Sequence, residues 1–308
     1  ARRHGWPAAA TAGRCGWQPK ERAAAAALAL MAVALATAAL LYALAPAGDI
    51  PVSARVSHRT SLLKPSPKYK PWKANRAAVI HACTLPRVSG EAALTDWRPG
   101  DAPAVLVGAS DNSALREATR RQVLLAERGD ATVKLASSDT WSTKQIETTL
   151  SEYVLNWKSP QPPDLPAIDA LYLFDSSLAL ADSTWAAVYT TYAPPKPAVA
   201  PPLDREPALS FGIAPAGSGV QWHVHGPALG EALHGRKRWL LYPPHAKPDF
   251  EPYNTTGQWL RYGGRPAPPY DAPPIDCTVG PGEAIYVPDM WWHATFNVDD
   301  CVFMSTFP

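Results

Sequence analysis

Short apolar runs separated by turn-forming residues dominate the chain beyond residue 130, and they constrain its fold more than any other feature. The runs are five to eight residues long and are bounded by Gly, Pro or Asp, which is typical of β-strands. They are ATVKLAS, LYLFD, LSFGIA, KRWLLYPP, EAIYVP and CVFMSTF. Proline supplies 34 of 308 residues, roughly twice its usual share, which disfavours long helices. The sequence therefore predicts a mainly β domain with few helices, one of them running from Ser113 to Arg128 and ending at Gly129.

An uncharged run from residue 23 to 45 organises the N-terminal part of the chain. As a helix, a run of this length would extend about 34 Å, which is enough to cross a bilayer. Residues 1–48 are therefore interpreted as a basic segment followed by a signal anchor or by a cleaved signal peptide. An organelle transit peptide is the alternative, since Glu21 is the only acidic residue in this segment.

The rest of the chain divides into a linker and one folded domain. Residues 49–76 are basic and contain Ser and Pro without an apolar period, so they are interpreted as a linker, and residues 77–308 form the domain. The net charge is +2 with both signs dispersed, and no basic stripe is interleaved with aromatic residues. This charge pattern excludes a nucleic-acid partner. A protein substrate or partner is expected, together with a membrane if the apolar helix is retained.

Two segments carry histidines at a spacing typical of metal ligands. In a strand, residues i and i+2 face the same side, so His223 and His225 can bind one ion. The second segment, PGEAIYVPDMWWHATFN, places His293 on a strand where it shares a face with Asn297. The second segment strengthens the expectation that the histidine pair binds a metal.

Both segments resemble the paired motifs of the cupin superfamily. Gly217, five residues, the histidine pair and then Glu231 follow the first motif. Gly282, five residues, Pro288 and later His293 follow the second motif. The surrounding stretches are similar to those of the JmjC domain family, and they include LYLFDSS, SFGIAPAGSG, GRKRWLLYPP and GEAIYVPDMWWHATFN.

The resemblance implies a double-stranded β-helix with a core from about residue 165 to 308 and a few flanking helices. Such domains hold Fe(II) by a facial triad and bind 2-oxoglutarate as cosubstrate. His223 and His293 match the family's two histidines, whereas His225 stands where its carboxylate usually stands. Lys237 matches the lysine that pairs with the far carboxylate of 2-oxoglutarate, and Tyr172 is expected to line the same pocket.

Strand alternation gives an independent expectation for Lys237. Between residues 236 and 242, alternation places Lys237, Trp239 and Leu241 on one face, with Arg236 and Arg238 on the other. An ammonium group that faces an apolar interior is costly unless it meets an anion. Alternation therefore predicts an anionic partner for Lys237, with a solvated lysine at a sheet edge as the alternative, and the resemblance implies that this partner is the far carboxylate of 2-oxoglutarate.

Three functions are compatible with these motifs. The first is an Fe(II)- and 2-oxoglutarate-dependent protein hydroxylase with an altered metal site. The second is a JmjC fold without catalytic activity that acts as an interaction module. The third is a cupin metalloprotein, for Fe(II) or another divalent ion, that works without 2-oxoglutarate and uses Glu231 as a fourth ligand. Gly226 and Pro227 interrupt the strand before Glu231, so its direction cannot be counted by parity.

Location and covalent modification follow from the same resemblance. More narrowly, the sequence is similar to a small family member of the endoplasmic reticulum lumen, which implies the lumen, or its membrane with a lumenal domain. Asn254 begins a glycosylation sequon that such a location would use. Cys83, Cys277 and Cys301 follow the apolar run and allow one disulfide, whose pairing the sequence leaves open.

Overall fold

The computed structural model describes residues 68–75, 83–89, 100, 102–178, 183–195, 207–262 and 272–308. The predicted apolar segment 23–45 and most of the predicted linker lie outside these residues, so both remain predictions. Within the described ranges, no helix is long and apolar enough to cross a bilayer.

Strands predominate over helices in the described ranges, which confirms the predicted mainly β fold. The strands are β1 (Arg87–Ser89), β2 (Ala104–Val107), β3 (Thr132–Ser137), β4 (Gln145–Thr149), β5 (Leu171–Asp175), β6 (Ala208–Ala214), β7 (Ala228–His234), β8 (Lys237–Tyr242), β9 (Ile275–Val279), β10 (Glu283–Val287), β11 (Trp292–Asn297) and β12 (Cys301–Phe307). The helices are α1 (Ser113–Ala118), α2 (Arg121–Arg128), α3 (Leu150–Asn156), α4 (Ala186–Thr191) and α5 (Thr256–Arg261), and a 3-10 turn covers Ser183–Trp185.

The strands form two sheets that pack face to face. The large sheet has nine strands in the order β1-β2-β10-β7-β12-β6-β5-β3-β4, and the small sheet has the order β11-β8-β9. All neighbours are antiparallel except β1 and β2. Trp239 and Leu241 of the small sheet share one apolar cluster with Ile285 of the large sheet. The core therefore lies between the sheets, and the residues that face it determine the candidate site.

Alternation in β8 agrees with the prediction. Lys237, Trp239 and Leu241 are buried between the sheets. Arg238 points the other way and forms an ion pair with Asp276, at 2.8 Å between Nε and Oδ1. Outward-facing apolar residues of the same strand are covered by α5, which packs in one cluster with Leu240 and Tyr242.

The predicted helix from Ser113 to Arg128 is interrupted and becomes α1 and α2. The Thr119 hydroxyl donates a hydrogen bond to Leu115 O at 2.7 Å, and the backbone of Arg120 is extended, with φ −55° and ψ 138°. Trp72 Nε1 donates to Thr119 O at 3.0 Å. A side chain that competes for helix carbonyls and an external donor together favour a turn at this point. Periodicity alone does not reveal either contact.

One disulfide joins Cys83 to Cys277, and Cys301 is a buried free thiol. The bond closes a loop of 194 residues, and loop closure restricts the unfolded chain most when the loop is long. We expect Cys277→Ala to lower the free energy of unfolding by about 3 to 5 kcal/mol. Urea unfolding measures this change, and Cys301→Ala is the control for loss of a buried sulfur. Equal effects of the two variants would contradict a role for the cross-link.

Candidate metal centre

Three histidines meet between the sheets, as the sequence predicts. His223 and His225 lie on the segment between β6 and β7, and His293 lies on β11. The backbones of His223 and His293 pair directly, with both N–H···O distances at 3.0 Å. One ring nitrogen of each histidine lies within 4.8 Å of the others. A single ion can therefore reach all three.

Hydrogen bonds determine which nitrogen each ring offers. In every case Nδ1 lies against a backbone carbonyl oxygen, namely Gln221 O for His223 at 2.7 Å, Gly226 O for His225 at 2.7 Å and Trp291 O for His293 at 2.8 Å. A carbonyl oxygen only accepts, so Nδ1 carries the proton and Nε2 carries a lone pair. Metal-binding histidines are commonly oriented by such contacts.

The Nε2 atoms of His225 and His293 lie 3.0 Å apart. Burial, together with the other two rings, holds the pKa of His293 well below its ordinary value, and burial followed by the neighbouring His225 lowers the pKa of His223 to about 4. Neutral rings in this tautomer turn two lone pairs toward each other, which is unfavourable unless a cation lies between them. Two nitrogens bound at about 2.1 Å and at right angles to one ion are about 3.0 Å apart. The residues therefore fit a divalent metal on one open face.

Lys237 faces the same space and has only neutral partners. Its side chain is buried, Nζ donates to Asn297 Oδ1 at 3.0 Å, and Nζ lies 3.8 Å from the centre of the Phe303 ring. Burial lowers the pKa of Lys237 to about 8. No carboxylate forms an ion pair with Lys237 within the described part of the chain. A buried ammonium without an anion is costly, so the site is suited to an anionic ligand.

A cavity of about 250 Å³ connects the histidines with Lys237. Tyr172 lines it and lies 3.5 Å from Ser142, oxygen to oxygen. Other polar lining residues are Thr140, Thr295 and Ser305, and the apolar ones include Phe174, Val220, Leu229, Trp239, Phe303 and Phe307. Ser305 and Phe307 line the cavity because residues alternate between the two faces of β12 and both lie on the same face as Phe303. This alternation is visible in the sequence, but the motif comparison did not use it. Among the residues that the structure describes, the lining contains no carboxylate.

Glu231 lies on the other face of the large sheet, which corrects its prediction as a fourth ligand. In β7 it is directly opposite Met304 of β12, and opposite residues on neighbouring strands point to the same face. Met304 belongs to the core cluster of α1 and α2, whereas Phe303 lines the cavity. The Glu231 carboxylate accepts a hydrogen bond from Asn112 Nδ2 at 2.8 Å. The chain crosses from one sheet to the other after His225, so the alternation of side chains at the histidine pair does not continue to Glu231.

Glu231→Gln should change how stability depends on pH. Burial raises the pKa of Glu231 from 4.5 to about 7. The pKa of Glu231 is higher in the folded than in the unfolded protein. Its contribution to the free energy of unfolding is therefore fully present below pH 4.5 and is lost as the pH rises through about 7. At pH 8 the ionised carboxyl costs roughly 3 kcal/mol. In urea unfolding we expect the variant to be more stable than wild type at pH 8, with a smaller difference at pH 5; a pH-independent difference would contradict the argument.

The predicted sequon lies in a turn that precedes α5. Asn254 is half-buried, and the hydroxyl of Thr256 donates to Val220 O at 2.9 Å. Thr255 caps the helix by accepting from Gln258 N. These contacts hold α5 against the histidine segment, and glycosylation of Asn254 stays a prediction.

Several known proteins are similar to this chain. Residues 231–307 match the family described as Cupin-like domain. JmjC domain-containing protein 8 of Homo sapiens is 44% identical over 205 residues, which cover 67% of this chain and 75% of that protein. Bifunctional arginine demethylase and lysyl-hydroxylase psr-1 of Caenorhabditis elegans is 28% identical and covers 63% of this chain and 52% of its own. The ribosomal oxygenase YcfD of Escherichia coli, in complex with cobalt and 2-oxoglutarate, is a solved structure that covers 71% of this chain and 50% of its own, with 16% identity and a TM-score of 0.39.

The match to JmjC domain-containing protein 8 covers two thirds of this chain and three quarters of that protein at 44% identity. The chain therefore belongs to the JmjC domain family.

Proposed function

We propose that the chain is a JmjC-type oxygenase that depends on Fe(II) and 2-oxoglutarate and hydroxylates a protein side chain. One observation carries the proposal: an ammonium group without a counter-charge and three converging lone pairs share one cavity. A metal alone does not explain Lys237. A dicarboxylate that reaches from the metal to Lys237 explains both groups.

The roles of the residues follow from their chemistry. His223, His225 and His293 would hold Fe(II), and Lys237 would pair with the far carboxylate of 2-oxoglutarate. When bound, the metal and cosubstrate supply the activation of dioxygen. The apolar walls around Phe174 exclude water, which strengthens the attraction between Lys237 and a carboxylate. Tyr172 closes the cavity on the side of β5.

His225 favours a second candidate function. Replacing a carboxylate by imidazole removes one negative charge, and a site of three neutral histidines also suits Zn, Cu or Ni. Val220 and Leu229 add apolar walls where family members often have polar contacts to the cosubstrate. A metal-binding interaction module without oxygenase activity would combine these features, and it would leave Lys237 unexplained.

We place this activity in the secretory pathway, in the lumen of the endoplasmic reticulum. The bond between Cys83 and Cys277 supports an oxidising compartment, where disulfides persist. A relative named as an arginine demethylase and lysyl-hydroxylase supports a protein side chain as substrate.

Anaerobic titration of the full chain with Fe(II), followed by 2-oxoglutarate, tests the proposal. We expect metal-to-cosubstrate charge-transfer absorption at about one equivalent of each. Metal uptake without this absorption would favour the interaction module. Absence of metal uptake would refute both functions.

A further inference from the structure

We propose that Asn297 is a positioning residue that determines cosubstrate specificity, because it holds the Lys237 ammonium with a neutral oxygen and leaves its charge for the far carboxylate of 2-oxoglutarate. The inference rests on the proposed function and adds a residue and a mechanism of selection to it. A carboxylate at position 297 would hold Lys237 equally well and would cancel the charge.

Register places the two residues together. Asn297 of β11 is directly opposite Lys237 of β8, and both side chains are buried between the sheets. The distance from Lys237 Nζ to Asn297 Oδ1 is 3.0 Å. Side chains opposite each other on antiparallel strands are close enough for direct contact without rearrangement.

The orientation of the Asn297 amide is determined by a chain of hydrogen bonds. Ser218 Oγ donates to Pro215 O at 2.6 Å, so its lone pairs accept, and Asn297 Nδ2 donates to it at 2.9 Å. The amide oxygen must then face Lys237. Asn297 therefore presents an acceptor without charge, in a position that it cannot reverse without losing both contacts.

The second contact of the ammonium is also neutral. The ring of Phe303 lies below Nζ, and Gly212 makes room for it, since a Cβ at position 212 would lie 2.3 Å from Phe303 Cζ. An ammonium has three donors, and the amide and the ring leave one of them for a ligand. Asn297 and Phe303 therefore position the Lys237 ammonium without neutralising its charge.

This arrangement predicts that the site distinguishes cosubstrates by the charge at the end far from the metal. 2-Oxoglutarate and 2-oxopentanoate have the same five-carbon chain and the same metal-binding end, and only the former has the far carboxylate. We expect the wild-type protein to prefer 2-oxoglutarate by about 10- to 100-fold, the usual range for a buried charge-assisted hydrogen bond.

The experiment is anaerobic calorimetry of the Fe(II)-loaded full chain with both acids. Asn297→Asp should reduce the preference to about one and leave 2-oxopentanoate binding and metal content within about twofold of wild type. Lys237→Met should reduce the preference to about one by itself, because the interaction that Asn297→Asp cancels is then absent.

Each other outcome overturns a specific claim. If Asn297→Asp keeps the preference for 2-oxoglutarate, or lowers the affinity for both acids equally, the inference is wrong and the proposed function stands. If the wild-type protein binds neither acid, the proposed function fails, and the inference fails with it. If Asn297→Asp does not fold, Asn297→Ser decides: we expect a preference reduced several-fold, and an unchanged preference overturns the inference.

Discussion

Lys237→Ala should weaken 2-oxoglutarate binding at least about 100-fold while metal content stays unchanged. Lys237 is buried, and its partners in the cavity are an amide oxygen and an aromatic ring. The alanine variant would leave the far carboxylate of the cosubstrate in an apolar pocket without a counter-charge. Removal of one member of a buried ion pair costs about 3 kcal/mol or more, which corresponds to the expected loss.

Two titrations of the same preparation measure this effect. Fe(II) uptake is followed first, and calorimetry with 2-oxoglutarate under anaerobic conditions follows. Lys134→Ala is the matched control, because Lys134 is exposed on β3 and does not line the cavity. Unchanged 2-oxoglutarate affinity in Lys237→Ala would mean that the far carboxylate binds elsewhere, and the proposed binding mode would have to be abandoned.

His293→Ala should reduce metal affinity by more than about 100-fold, since loss of a residue that only supports a ligand already costs 10- to 100-fold. His293 is the most buried of the three histidines, and its Nε2 lies 3.0 Å from that of His225. The variant would keep only two of the three histidine ligands for the metal. The charge-transfer absorption with 2-oxoglutarate should disappear together with the metal.

His234→Ala is the control for this experiment because it removes the same chemical group at a different place. His234 contacts Arg116 O at 2.8 Å through Nε2 and lies outside the histidine cluster. Equilibrium dialysis against Fe(II) and against Zn(II) gives the metal content of each variant. Equal metal uptake by His293→Ala and wild type would show that the ion binds at another site.

Strand alternation accounts for the parts of the site that could be predicted from the sequence. Lys237 and Trp239 share a face because a strand repeats every two residues, and this relation needs no knowledge of the partner strand. His223 and His225 have the same spacing but lie between β6 and β7, where His223 forms an isolated β-bridge with His293. The motif spacing that relates the histidine pair to His293 is likewise contained in the sequence. Alternation and the short apolar runs sufficed to predict the mainly β fold, and the family resemblance added the expectation that His293 joins the histidine pair.

Only the tertiary structure decided which residues meet across the sheets. Glu231 turned away from the histidines because the chain changes sheets after His225. Cys277 of β9 paired with Cys83, which packs against the same apolar cluster, and the contact of Asn297 with Lys237 followed from the register of β11 on β8. Register and sheet packing depend on contacts between residues far apart in the chain. Alternation can therefore predict which face of a strand a side chain occupies, but not which residue lies opposite it.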